Sequence, residues 1–321
     1  MSTELTCDVV VIGGGPGGLA AATALARSRR SVIVVDAGQP RNAPAAGAHN
    51  VLGHDGVPPL EILAAGRREA EGYGARVIPG RAVSARRTTD GTTPDPSAGL
   101  GFVIELADGT IVRARRLILA TGLTDVLPDI PGVADLWGTH VLHCPYCHGW
   151  EVRDQRIVVL ATGPLSAHQA LLFRQLSDDV TVVEHTESVI DPDARTQLDA
   201  RGVTLVDARV DRVDTDGTDL RGVILTDGRT LEADAVVIGP RFVANADLFE
   251  QLGGTVTDHP NGTYVATGLM GATDLPGVWA VGNTADLSAM VGSAAGAGTG
   301  AGAAVNADLV AEEARAAAAL V

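Results

Sequence analysis

Lysine is missing from this chain: all 24 basic residues are arginine. Compositional bias is reason enough for that, yet the chemical consequence is definite. Without a side-chain amine there is no Schiff-base catalysis, which excludes pyridoxal-phosphate enzymes and lysine aldolases. A phosphate-binding loop with its lysine is excluded as well. Cysteine is scarce, with Cys7, Cys144 and Cys147 the only three. That is too few for a disulfide scaffold and predicts a cytoplasmic protein. No charged leader with an apolar core and cleavage site opens the sequence; the first apolar run, Val9–Ile12, goes straight into glycines and reads as a strand. No run is apolar and long enough to cross a membrane, the Ala/Gly tract from Ser293 to Val305 being short and weakly apolar. A net charge of −15 argues against nucleic acid as a partner, because neutralising phosphates takes clustered cations.

What is present suits a soluble α/β protein. At 321 residues, 45% of them hydrophobic, the chain is long enough for two cores. It opens with a βαβ pattern: strand Val9–Ile12, a glycine turn, a helix over about Gly17–Arg27, and strand Ser31–Val35 ending at Asp36. Residues 84–99 lack periodicity and are rich in turn formers, which predicts a loop. Phe102–Leu106 and Ile111–Val112 read as a hairpin. A second βαβ pattern covers Ile157–Ala161, Ala167–Leu176 and Val180–Glu184, with a hairpin at Val223–Thr226 and Thr230–Leu231 and a strand at Ala235–Ile238. Strand Val278–Val281 then leads through a glycine-rich turn into an Ala-rich helix. There are thus two nucleotide-fold units, in tandem or one inserted into the other, and no short-period repeat.

One segment carries a dinucleotide signature, and two later strands end in glycine-containing turns that could each be an ordinary strand end. Gly13-Gly14-Gly15-Pro16-Gly17-Gly18 follows a strand and opens a helix. Gly13 permits the tight turn, Gly15 lets backbone approach a pyrophosphate, and Gly18 lets the helix pack on the strand. The helix N-terminus faces the diphosphate, and Asp36 is placed to accept from ribose hydroxyls. Leu117–Leu119 ends in Ala120-Thr121-Gly122, and Val278–Val281 ends in Gly282-Asn283. The other signal is Cys144-Pro145-Tyr146-Cys147, a spacing that closes a small disulfide loop and depresses one thiol pKa. Half a zinc site is the competing reading; it would need ligands such as His140, His143 or His148, and no second C-x-x-C exists.

The order of glycine turn, Ala-Thr-Gly, C-x-x-C, second βαβ unit and terminal Gly277-Val278-Trp279-Ala280-Val281-Gly282-Asn283 resembles the low-molecular-weight thioredoxin reductases over essentially the whole chain. The resemblance implies FAD as cofactor, held by Gly13, Gly15, Pro16, Gly18, Asp36, Ala120, Thr121, Gly122, Gly282 and Asn283, with Asn50 near the flavin. It implies an α/β fold of two Rossmann-like domains. Residues 1–122 and 241–321 would form the FAD domain, with 123–240 inserted as a pyridine-nucleotide-type domain carrying the C-x-x-C. It also implies a homodimer.

Three positions depart from that family. The second glycine turn reads Ala161-Thr162-Gly163-Pro164-Leu165-Ser166, losing a glycine and, at Pro164, a backbone N–H. Where the family carries a His-Arg-Arg clamp for the 2′-phosphate, this chain has Glu184-His185-Thr186-Glu187, which would repel it. The Arg of a C-terminal Arg-Gln-Ala aligns with Ala289. The middle domain is therefore expected not to use NADPH, with NADH read by Glu184 as the alternative. Cys144-Pro145-Tyr146-Cys147-His148-Gly149-Trp150-Glu151 is similar to the dithiol oxidases of the gliotoxin and holomycin type. Such a likeness implies a small-molecule dithiol substrate, molecular oxygen as acceptor and hydrogen peroxide as product. Cys144 would meet the substrate, Cys147 would lie nearer the flavin, and His148 would serve as base. A disulfide reductase fed by NADH or another donor, or a flavin-bound redox sensor, stand as alternatives, and a capping role for His148 stays open.

Overall fold

The computed structural model describes residues 3–88, 101–185 and 189–320. The chain forms two compact units. Met1–Ala43, Val51–Thr124 and Phe242–Val321 make the first, and Pro44–Asn50 with Asp125–Arg241 make the second.

The first unit is built on a parallel sheet in the order Arg76–Pro79, Val32–Asp36, Glu4–Ile12, Ile111–Leu119. Val9, Val10 and Val11 are fully buried, as expected of a strand covered on both faces. The strand Ile111–Leu119 serves two partners on its far side. Its first half pairs antiparallel with Phe102–Leu106, and its last three residues pair in parallel with Val278–Ala280. The hairpin arm expected to stop at Val112 therefore runs unbroken to Leu119, its burial alternating through Val112, Ala114 and Arg116. Residues 84–87, expected as loop, lie in strand Ala82–Arg87, paired with Phe102–Leu106. Only Ala85 is buried there, so the solvent-facing Ser and Arg side chains hide the strand in the sequence. Residues 89–99 of that expected loop lie outside the described residues.

Helices Pro16–Arg27 and Val291–Ala318 pack on this sheet. Their backbones come so close that a Cβ on Gly298 would overlap the Gly17 carbonyl, and one on Gly302 would sit 2.8 Å from the Ala21 oxygen. The Ala/Gly tract is thus a packing seam. Among the described residues no helix is long and apolar enough to cross a membrane. Further along the same helix, Asp308 and Glu312 pair with Arg116 of the strand Ile111–Leu119, only 3% exposed, and Glu312 and Glu313 pair with Arg115, which also meets Asp8.

The second unit has its own parallel sheet, ordered Thr204–Val206, Val180–Val183, Ile157–Leu160, Ala235–Ile238, Val141–Leu142. Apolar clusters fill both faces, one around Phe173 and Leu198, the other around Val213 and Leu225. Helices Ser166–Phe173 and Pro192–Ala200 follow their strands, and Asp191 caps the latter by accepting from the Ala194 N–H at 2.8 Å. An antiparallel ribbon, Val210–Thr215, Leu220–Leu225 and Thr230–Leu231, completes the unit.

Candidate active site

In the first unit the three glycine-ended segments lie at the carboxyl ends of adjacent parallel strands, where open α/β sheets bind their ligands. Register explains why. The Gly13 N–H donates to Val35 O at 2.8 Å, Ala120 N–H to Ile12 O at 2.8 Å, and Val281 N–H to Leu119 O at 2.9 Å. Gly13 has φ +108°, a conformation that favours glycine, and a Cβ on Gly18 would overlap its carbonyl. Gly15 is different: nothing lies within 4 Å of where its Cβ would be. Pro16 opens the helix, its fixed φ suiting the first turn. The Asp36 carboxylate accepts from the Gly14 N–H at 3.2 Å and lines a cavity with Gly38, Arg67, Pro79 and Arg81.

Thr121 and Gly122 are held by residues that sequence reasoning missed. Thr121 Oγ1 donates to Asn245 O at 2.6 Å, and the Asn245 amide donates back to Thr121 O at 2.9 Å. Thr284, fully buried, accepts from the Gly122 N–H at 2.7 Å. Its position next to Asn283 was the one available signal. Asn283 spends its own amide on Asp286 O and Ala289 O, both at 3.0 Å, shaping the loop before the C-terminal helix. Open space at Gly15, the helix N-terminus and the Asp36 carboxylate together fit a dinucleotide's diphosphate and ribose.

The second unit carries the sulfur chemistry. Cys144 is the extended residue before the four-residue helix Pro145–His148, and it is disulfide-bonded to Cys147 with the Cα atoms 5.3 Å apart. Pro145 sets the first helical φ, and Gly149 lets the turn close, since a Cβ there would overlap Pro145 O and Leu176. His148 ends the helix. Burial pushes its imidazole below the ordinary value; the Glu151 carboxylate opposes that and His49 adds to it. Asn50, at φ +59°, donates from its amide to Tyr146 O at 2.7 Å, and His49 Nε2 lies 3.4 Å from Glu151 Oε1. The segment Gly47–Asn50 therefore grips the cysteine turn. Tyr146 and Trp150 are 62% and 66% exposed, with Arg153 stacked on the Trp150 ring at 4.1 Å.

The other histidines stand apart. Buried Gln169 donates to His143 O at 2.6 Å and Ile238 O at 3.0 Å, with His143 Nδ1 3.2 Å away, which fixes that ring among main-chain groups. His140 joins the sheet through its carbonyl, which accepts from Val236 N–H at 2.9 Å. Among the described residues no group of three or more His, Cys, Asp or Glu is arranged to hold a metal ion. Cys7 is buried in the first unit, which drives its thiol up to about 12. In the second unit's own glycine turn, the Gly163 N–H already donates to Ser166 Oγ at 3.2 Å. The Glu184 carboxylate is held by Arg195 through contacts of 2.6 and 2.7 Å. Thr186 and Glu187 lie outside the described residues.

Two dinucleotide folds, one with glycine-ended strands and one bearing a C-x-x-C disulfide, define a thiol/disulfide oxidoreductase. The chain belongs to the pyridine nucleotide-disulphide oxidoreductase family, which matches residues 7–307. It is 33% identical over 294 residues to thioredoxin reductase tcpT of Claviceps purpurea (strain 20.1), covering 88% of each chain. The crystal structure of HlmI matches with a TM-score of 0.90 at 42% identity, over 98% of this chain and 95% of that one. An oxidoreductase from Agrobacterium tumefaciens matches at 0.86 and 35%, over 95% and 99%. The protein is thus a thioredoxin reductase-like flavoprotein acting on dithiol or disulfide groups.

Proposed function

We propose that the protein is an FAD-dependent dithiol oxidase that closes a disulfide in a small molecule through Cys144 and Cys147. A substrate thiol gives its proton to His148, and the thiolate attacks the Cys144 sulfur. The Cys144–Cys147 bond breaks, leaving a mixed disulfide on Cys144 and a thiolate on Cys147. The second substrate thiolate then attacks the substrate sulfur of that mixed disulfide, releasing the cyclic product and the Cys144 thiolate. Burial favours neutral His148, the form able to take the proton. FAD would be held by Gly13, Gly15, Pro16 and Gly18 at its diphosphate, by Asp36 at its ribose, and by Ala120–Gly122, Gly282 and Asn283 near the ring, with Asn50 on the cysteine side. When bound, it supplies a two-electron sink for the reduced cysteine pair and passes those electrons to oxygen, giving hydrogen peroxide. A homodimer, by likeness to the family, and a cytoplasmic location, from the scarcity of cysteine, complete the reading.

The observation that carries the choice of oxidase over reductase is the state of the second unit's nucleotide turn. Of its donors, Pro164 has no N–H and that of Gly163 is already taken by Ser166. Glu184, the residue that would read an NADH ribose, is engaged by Arg195. Anaerobic stopped-flow reduction of the flavin by a small dithiol, NADPH and NADH tests this. Fast bleaching by dithiol alone is expected; rapid stoichiometric bleaching by NADPH or NADH would restore the reductase reading.

A further inference from the structure

Aromatic residues make up 3% of this chain, yet two of them frame the disulfide. Among the described residues three Phe, Tyr or Trp side chains are exposed: Tyr73, Tyr146 and Trp150. Tyr73 belongs to the first unit, where the Arg27 guanidinium covers its ring. Tyr146 stands between the two cysteines, and Trp150 follows the second by three residues. The turn stays helical through Gly149, at φ −70° and ψ −30°, so Tyr146, Cys147 and Trp150 share one face of it. Side chains three or four apart on such a turn are neighbours, with Cβ atoms about 5–6 Å apart. Both aromatic residues are anchored. Arg153 stacks on the Trp150 indole at 4.1 Å and donates to Trp150 O at 2.7 Å, while Asn50 holds Tyr146 by its carbonyl. With one indole face covered and Trp150 still 66% exposed, the opposite face is open. Closing the turn calls for Pro145 and Gly149, but it makes no apolar demand at 146 or 150, where polar side chains would be solvated at less cost.

We propose that Tyr146 and Trp150 form the substrate platform, and that the dithiol they select carries its thiols on a planar, π-conjugated ring that stacks on the open indole face. This deepens the dithiol-oxidase reading and rests on it. An indole face favours a flat π system over a flexible aliphatic chain, because stacking adds to the apolar area that either would bury. A tryptophan already fixed by Arg153 loses little conformational freedom on binding, which lets one ring contribute strongly to affinity. The size of the patch favours a small ligand over a protein. A stable protein interface covers about 800 Å² on each side. Two rings exposed at 62% and 66% offer no more than about 300 Å². Neither ring exchanges protons or electrons, so their effect falls on which dithiol is held beside the sulfurs.

The test uses the FAD-loaded enzyme under anaerobic conditions with two matched dithiols, 1,2-bis(mercaptomethyl)benzene and 1,4-butanedithiol. Each closes a six-membered cyclic disulfide, and the benzene ring is what distinguishes them. Wild type is expected to reach its half-maximal rate of flavin reduction at an about tenfold lower concentration of the aromatic dithiol. Trp150→Ala and Trp150→Leu should bring the two half-saturating concentrations within about twofold of each other, and Tyr146→Leu should narrow the gap. Trp150→Phe should keep most of the preference, a rescue that apolar bulk alone does not give. An independent readout is tryptophan fluorescence: the cyclic disulfide of the aromatic dithiol should quench emission in wild type and not in Trp150→Phe. Equal half-saturation by the two dithiols in wild type, an undiminished preference in Trp150→Ala, or full quenching in Trp150→Phe would overturn the platform while leaving the dithiol oxidase intact. So would a Trp150→Ala variant that loses reduction by a dithiol protein such as reduced thioredoxin while its small-dithiol preference stands, which would assign the surface to a protein partner. A wild-type enzyme reduced by NADH but by neither dithiol would overturn both.

Discussion

Replacing Gly298 by alanine adds one methyl group where the C-terminal helix meets the helix of the first glycine turn. The new Cβ would overlap the Gly17 carbonyl oxygen, a backbone atom that cannot rotate aside. Overpacking of this kind costs about 1–3 kcal/mol as the helices part. Gly296, two residues earlier on the same helix, has nothing within 4 Å of its Cβ position. Alanine there should stabilise the protein by about 0.5–1 kcal/mol, through helix propensity alone. For a unit of this size 1 kcal/mol moves Tm by about 2–4 °C. Gly298→Ala should therefore melt several degrees below wild type and Gly296→Ala slightly above it. The displaced helix is the one whose N-terminus would face the FAD diphosphate, so Gly298→Ala should also retain less flavin after gel filtration, while Gly296→Ala keeps it. Two variants with equal Tm and equal flavin content would refute the close-approach reasoning, because they differ only in what the methyl meets.

Three further outcomes are expected. Cys144→Ser should show a long-wavelength charge-transfer band that rises with pH, from a Cys147 thiolate beside oxidised flavin, and Cys147→Ser should not; the band in the other variant would exchange the two roles. With the disulfide intact, Cys7 should be inert to a thiol reagent in the native protein, as its thiol is held near 12, and should react as a single thiol on denaturation; rapid native labelling would contradict its burial. Arg30 and Arg115 hold Glu313 down to about 2, and hydrogen bonds from Arg116 and Arg115 outweigh burial in lowering Glu312. Depressed carboxylates stabilise above their unfolded value near 4.5 and cease to as pH falls through the folded value, so Tm should drop between about pH 4.5 and 2. Arg115→Met should flatten that slope, and an unchanged slope would remove these pairs from acid stability.

The parts of the molecule legible in the sequence are those whose chemistry is local. Gly13 to Gly18 announce a turn because each glycine answers a backbone demand within a few residues, and Cys144 and Cys147 declare their pairing by spacing. Strand Ala82–Arg87 was not legible, because one face is solvated and its Ser and Arg side chains mimic a loop. Thr284 and Asn245 were missed because what they hold, Thr121 and Gly122, lies more than a hundred residues away. The same holds for Gly298 and Gly302. Their composition suggested only a bland helix, and the carbonyls they make room for belong to residues near the other end of the chain. His49 gave no motif at all; its partner Glu151 became visible only when the segment before it folded onto the cysteine turn.

That segment has a genetic consequence. Residues 44–50 are encoded far upstream of the insert they pack with, so the second unit is one body in space and two pieces in the gene. A chimera that swapped only 125–241 for the same stretch of a relative would pair a native Pro44, His49 and Asn50 with a foreign Gly138, Glu151 and Tyr146. Recombination that respects the fold has to move both pieces at once. Drift in one of them therefore constrains the other, across the 74 codons, 51 to 124, that encode neither.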